Sequence, residues 1–150
     1  MAPRLILSVG RFEVRQTISL GFQDLNLREL VARTPPAQRH FFIEMAGRSR
    51  QVSLAGMDRS GTFSELTSFA HQLQSKTPGT LLVVSTSIHL RRVRWCCQRI
   101  EGFARWNIRY AAVPEKLSPF RRERWWTRPD HWLYLSAEYG KLAAYSLRYG

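Results

Sequence analysis

At 150 residues, 44% apolar and 12% aromatic, the chain is long enough to bury a core and too apolar for a disordered segment. No run approaches the ~20 apolar residues of a membrane span, and two adjacent cysteines, Cys96 and Cys97, make neither a disulfide framework nor a good zinc site. The net charge of +12, from 23 basic against 11 acidic residues, attracts polyanions without naming one. More of that excess lies from Ile88 onward than before it. The length suits a single domain over residues 1–150. Met1 to Gly10 has a short apolar core that reads as a first strand rather than a secretory signal, so a cytoplasmic setting is expected.

Arg4 to Arg11 reads as a strand closing in a small-residue turn, where Gly10 suits a reversal near a ligand. Phe12 to Phe22 alternates weakly, as an irregular strand or a loop. Leu27, Leu30 and Val31 recur at helical spacing after Asp24, a candidate N-cap. Thr34-Pro35-Pro36 ends that helix, because proline supplies no N–H. His40 to Glu44 is a second strand; Ala46-Gly47-Arg48 is a turn from which Gln51 to Leu54 could return as a hairpin arm. After a polar break at Gly56 to Gly61, Thr62-Phe63-Ser64-Glu65 fits a capping box. Phe63, Leu66, Phe69, Ala70 and Leu73 form the inward stripe of the helix that follows, and Ser75 to Gly79 ends it.

Leu81 to Val84 is a short apolar run that stops at Ser85-Thr86-Ser87, where an amphipathic pattern begins at once. That is how a buried parallel strand feeding a helix reads. The helix runs from Ile88 to Ile100, with Leu90, Val93, Cys97 and Ile100 toward a sheet and Arg91, Arg94 and Arg99 at least partly outward. Gly102 breaks it, and Arg105 to Val113 alternates as another strand. Pro114 to Pro129 is a long loop holding Trp125-Trp126. His131 to Arg148 closes the chain as a helix with Trp132, Leu135, Tyr139, Leu142 and Ala143 on one side. Strands alternating with helices lead to an α/β expectation: a three-layer, mostly parallel sheet with helices on both faces and right-handed crossovers.

In such sheets ligands sit outside the carboxyl ends of the strands, so the Ser-Thr-Ser turn above a helix N-terminus marks an anion site. His89 is a candidate acid–base, since its unperturbed pKa lies near neutrality. Arg92 lies one turn on and offers a planar fork for a carboxylate or phosphate. Ser8, Ser85 and Thr86 look like pocket hydroxyls, but none sits in a nucleophile elbow. Ser8-Val9-Gly10-Arg11 is too poor in glycine for a dinucleotide fingerprint. Glu44 and Glu138 read first as partners for arginines, and Glu65 is accounted for as a cap. Arg121-Arg122-Glu123-Arg124-Trp125-Trp126-Thr127-Arg128 mixes guanidinium groups with flat rings, a combination that holds single-stranded nucleic acid. A lid, or tryptophans packed on the domain, explains it too, and the packing reading ranks first.

The run Leu82 to Arg92 resembles the LVTSxxHxxR signature of the YdcF/SanA/ElyC-like proteins, a bacterial domain-of-unknown-function family. By that resemblance Ser85 and Thr86 stand at its hydroxyl pair, His89 at its histidine and Arg92 at its arginine. Leu5 to Gly10 resembles the family's strand ending in Ser-Gly-Gly, Phe42-Ile43-Glu44 its strand ending in glutamate, and Gly61 to Glu65 its Asn-Thr-x-Glu-Asn segment. Ala137 to Leu142 is similar to the closing helix. Val9 replaces one glycine, Glu65 follows Thr62 by three residues rather than two, and the family's extra first strand is lacking, as in a divergent or shortened member. The resemblance implies a Rossmann-like fold, a polar pocket over the strand ends, a loose link to cell-envelope processes and no settled reaction. The combined expectation is an anionic or nucleotide-type small molecule held by Ser85, Thr86, His89 and Arg92, with Ser8, Gly10, Arg11, Thr62 and Glu138 as further members. No metal and no particular cofactor is implied, and a basic nucleic-acid-associated module built on the 121–128 loop is the alternative.

Overall fold

The computed structural model describes residues 4–9, 27–56, 61–118, 123 and 125–150. The chain divides into two compact units, Met1–Phe69 and Ala70–Gly150.

In the first unit, β1 (Arg4–Val9) pairs antiparallel with β2 (Phe41–Ala46), and β2 pairs antiparallel with β3 (Ser49–Leu54). Only two residues join β2 to β3, and Gly47 takes a φ of 58°, a conformation that suits the twist of a tight hairpin. One face of this sheet carries Val9, Phe41 and Ile43 against Leu27, with Leu30 and Val31 packed around them. Leu27, Leu30 and Val31 belong to α1 (Leu27–Arg33), whose apolar spacing exists to cover that face. Phe42 points the other way, its ring 5.5 Å from that of Phe69. Phe41, Phe42 and Ile43 are therefore all buried, because the central strand is covered on both sides. Phe69 lies on α2 (Thr62–Leu73), the helix in which the boundary between the units falls.

The second unit is one β-α-β crossover with a helix laid over it. β4 (Thr80–Ser85) and β5 (Asn107–Ala112) run parallel, with Leu82 opposite Arg109 and Ser85 opposite Ala112. α3 (Ser87–Cys97) joins them and buries Val93, Cys96 and Cys97. A Cβ at Gly102 would lie 2.9 Å from that of Ala70, so the break after α3 is also a point of close approach. α4 (Pro129–Tyr149) packs on α3 and on the short 3₁₀ turn Trp125–Thr127. The run Leu81 to Val84, expected as a buried strand, is not buried: Leu82 and Val84 are exposed, because among the described residues of this unit helices cover only the other face of the two-stranded sheet. Among the described residues no helix is long and apolar enough to cross a membrane.

The single, mostly parallel sheet expected from the strand–helix rhythm, and the Rossmann-like fold implied by the family resemblance, are not formed. The described residues form two sheets, a three-stranded antiparallel one and a two-stranded parallel one. The reason is directional: a buried apolar run looks the same in a parallel strand as in the centre of a small antiparallel sheet covered on both faces. Among the described residues only β4-α3-β5 is a parallel crossover. The closing helix is also turned relative to expectation. Its buried residues are His131 and Glu138, whereas Trp132, Tyr139 and Ala143, expected on its inner side, are exposed. Asp24 and residues 12–22 lie outside the described residues.

Candidate functional site

His89 and Arg92 are three residues apart on α3 and so share one face of it. Glu138 sits midway along α4, and its carboxylate meets both. Arg92 Nε donates to Glu138 Oε2 at 3.0 Å, and Nη2 donates to Oε1 at 3.0 Å and to Oε2 at 2.9 Å. Lys141, one turn further along α4, donates to Oε1 at 3.0 Å. The Arg92 and Glu138 side chains are only 8% and 7% exposed, so this is a buried ion pair with its lone pairs occupied. Burial alone would raise the Glu138 pKa; hydrogen bonds from Lys141, Arg92 and His89, with the Arg92 charge, outweigh it and hold the carboxyl at about 2.

His89 Nδ1 lies 3.2 Å from Glu138 Oε2 and 2.9 Å from Arg92 Nη2. It can serve these neighbours only one at a time. With its proton on Nε2 it accepts from Arg92; with the proton on Nδ1 it donates to Glu138. Either way the imidazole braces the pair.

Beside the pair is a cleft of about 470 Å³. Ile88, Leu135 and Leu142 supply apolar lining, Trp125 and Tyr139 flat rings, and Ser87, Arg91, Arg92 and Glu138 the polar groups. Arg91 donates to the Tyr139 hydroxyl and lies over its ring, 5.5 Å from the centroid. Trp125 is propped by Trp132, with ring centroids 4.8 Å apart, and Trp132 Nε1 donates to the Trp126 carbonyl at 3.0 Å. Ser87 and Ile88 are the first two residues of α3, where backbone N–H groups have no partner within the helix and the dipole favours negative charge. The lining charges, Arg91 and Arg92 against Glu138, leave a positive excess.

Of the residues expected in the site, His89, Arg92 and Glu138 are brought together. Ser85 ends β4, where its carbonyl accepts from Val113 N–H at 2.9 Å. Thr86 is the N-cap of α3 in an extended conformation, but its hydroxyl makes no capping bond, and its Oγ1 is buried without a partner. Ser87 and Ile88, rather than Ser85 and Thr86, line the cleft. Ser8 and Thr62 belong to the first unit, with Thr62 buried as the opening residue of α2. Gly10 and Arg11 lie outside the described residues, as do Arg121, Arg122 and Arg124. Glu44 takes the expected structural role, accepting from Arg4 at 3.1 Å.

Ser8 takes part in a second polar cluster. Its hydroxyl donates to Glu65 and lies 2.7 Å from His40 Nε2, so the Glu65 carboxylate, expected as a helix cap, meets β1 and the residue before β2. Sequence reasoning missed His40, which looks like the first residue of a strand, and also Arg91, Tyr139 and Lys141, and it weighed Trp125 only as part of a nucleic-acid-binding, lid or packing segment. Lys141 alone left a signal, its three-residue spacing from Glu138. Burial pushes the Cys96 thiol up to about 12 and also raises Cys97, so neither is a ready nucleophile. Among the described residues no group of three or more His, Cys, Asp or Glu could hold a metal ion. No family model, no curated protein and no solved structure matches the chain, so the chemistry of the cleft has to be read from its own side chains.

Proposed function

We propose that the cleft between the first turn of α3 and α4 binds a small anionic molecule carrying a flat ring, of the nucleotide type. The observation that carries this reading is the meeting of Arg91 and a helix N-terminus with the Trp125 and Tyr139 rings in one hollow. Arg91 and the first-turn N–H groups would take the anion, and the aromatic side chains would take the ring. Glu138 neutralises Arg92 and fixes its fork, so Arg92 shapes the wall while Arg91 supplies the reachable charge. His89 acts here by positioning Arg92, and binding rather than bond-making is the function this arrangement supports. The resemblance of residues 82–92 to YdcF-like proteins singles out Ser85, Thr86, His89 and Arg92. Of these Arg92 lines the cleft and His89 contacts it, which is the part of the resemblance that supports this place, and the envelope-linked setting of that family goes with it.

Titration with adenosine monophosphate, followed by tryptophan fluorescence, tests the proposal. Binding should weaken by about 10- to 100-fold in Arg91→Ala, the loss of a charge-assisted hydrogen bond of about 1.5–3 kcal/mol. Adenosine without its phosphate should bind less tightly than the nucleotide. Binding unaffected by Arg91→Ala would move the site elsewhere. Preference for single-stranded oligonucleotides over the mononucleotide, with a steep loss in salt, would favour the nucleic-acid alternative.

A further inference from the structure

The outward face of α4 lacks the charges that a solvent-facing helix normally carries. Leu133, Ala137, Gly140, Ala144 and Leu147 follow one another at spacings of four, three, four and three residues. At 100° per residue all five fall within about 60° of Gly140, forming one stripe. Every one of them is exposed, Leu133 at 74% and Leu147 at 91%. The opposite face of the same helix holds His131 and Glu138 and packs on α3, so the stripe is a second apolar face.

We infer that this stripe is where a second copy of the chain docks, antiparallel, on a two-fold axis passing through Gly140. The order of residues is what points to a copy of the same helix. Read outward from Gly140 it is Ala then Leu in both directions, the leucines each seven residues away. A two-fold axis there sets Leu133 of one copy against Leu147 of the other, and glycine against glycine at the centre. Such an interface is isologous and closes on itself. Small residues at its middle let two helix axes approach to about 8 Å. A Cβ at Gly140 would meet nothing within 4 Å, so the space there is open to a partner.

Charge supports the same pairing. Asp130 lies ten residues before Gly140 and Arg148 eight after it, and both fall about 80° round the helix on one flank. The two-fold axis brings Asp130 of one copy beside Arg148 of the other, twice over. Both side chains are exposed, and Asp130, whose own-chain neighbour Arg128 lies 3.5 Å away, has solvent-facing lone pairs left for a second cation. Lys141, the cation nearest the midpoint, is drawn to Glu138 of its own chain at 3.0 Å. A seam from Leu133 to Leu147 is about 21 Å long at 1.5 Å per residue, so it belongs with small, transient interfaces under about 1,200 Å² in total.

Sedimentation velocity on the full chain, from low to high micromolar concentration, is the test. The wild type should pass from monomer to dimer across that range. Gly140→Glu places two like charges at the axis and should weaken the dimer by more than about 30-fold. Its melting temperature as a monomer should be equal or higher, because glycine is a poor residue inside a helix. Leu147→Glu should act in the same way and guards against misfolding of the first variant. For orientation, a mixture of Leu133→Cys and Leu147→Cys chains should cross-link to each other on mild oxidation, the native thiols being buried. A wild type that stays monomeric throughout, a dimer that survives both glutamate variants, or Leu133→Cys cross-linking only to itself would overturn the inference.

Discussion

Glu138 and Glu65 each meet a histidine, yet they stand in opposite circumstances. Glu138 is 7% exposed and gathers hydrogen bonds from Arg92, Lys141 and His89. Glu65 is 27% exposed and meets a hydroxyl and an imidazole, Ser8 and His40. Burial makes the first cluster expensive to disturb, because each charge was taken out of water and depends on its partner. The second stays wet and its members can be rehydrated. The contrast separates rigidity from access. The Arg92–Glu138 pair locks α3 to α4 and so fixes the spacing of the cleft walls, while Arg91 beside it, held by Tyr139, is exposed to solvent.

The sharpest way to test that contrast is to remove one carboxylate at a time. Glu138→Gln leaves the Arg92 charge buried without its counter-ion and should cost about 3–5 kcal/mol in urea unfolding. Glu65→Gln should cost about 1 kcal/mol or less, and equal losses would erase the distinction.

Acid should act on the same cluster. The Glu138 carboxyl is held at about 2 against an ordinary value of 4.5. A lowered folded-state value means that its stabilisation is present above pH 4.5 and is lost as the pH falls toward 2. The part tied to this group is on the order of 3 kcal/mol. Stability measured against pH should show that loss in the wild type and not in Glu138→Gln.

A smaller effect is expected at Ser8. Ser8→Ala removes a hydrogen bond at a solvated site and should cost about 1 kcal/mol by denaturant titration. The smallest effect concerns the thiols. With the Cys96 pKa pushed to about 12 and both side chains buried, thiol reagents at neutral pH should label neither cysteine until the chain is unfolded.

How far these features could be read from the residues varies with their range along the chain. β4-α3-β5 was legible because a β-branched run feeds directly into an amphipathic helix at Ser85 to Ser87. The β2–β3 hairpin showed in Gly47, whose backbone freedom the turn uses. The direction of β1 against β2 did not show, since apolar periodicity is the same for both orientations. Arg92 looked like one arginine among many; its burial depends on Glu138, 46 residues away, which no local pattern links to it. The same pair turned α4 from its expected face. Trp132 and Tyr139 suggested an inner side by their apolarity, but the ion pair draws Glu138 inward and leaves them half in solvent. The cleft depends on where Trp125 comes to rest, and its contact with Trp132 is set by the start of α4.

Calorimetric titration of adenosine monophosphate into the wild type, Arg91→Ala and Arg48→Ala tests the central claim most directly. Arg48 is an exposed arginine in the turn between β2 and β3, so the two variants lose the same charge from different places. A local site predicts at least about tenfold weaker binding in Arg91→Ala and wild-type affinity in Arg48→Ala. Equal weakening in both would show that affinity comes from the net charge of the chain, and the cleft would then have no claim to be the site.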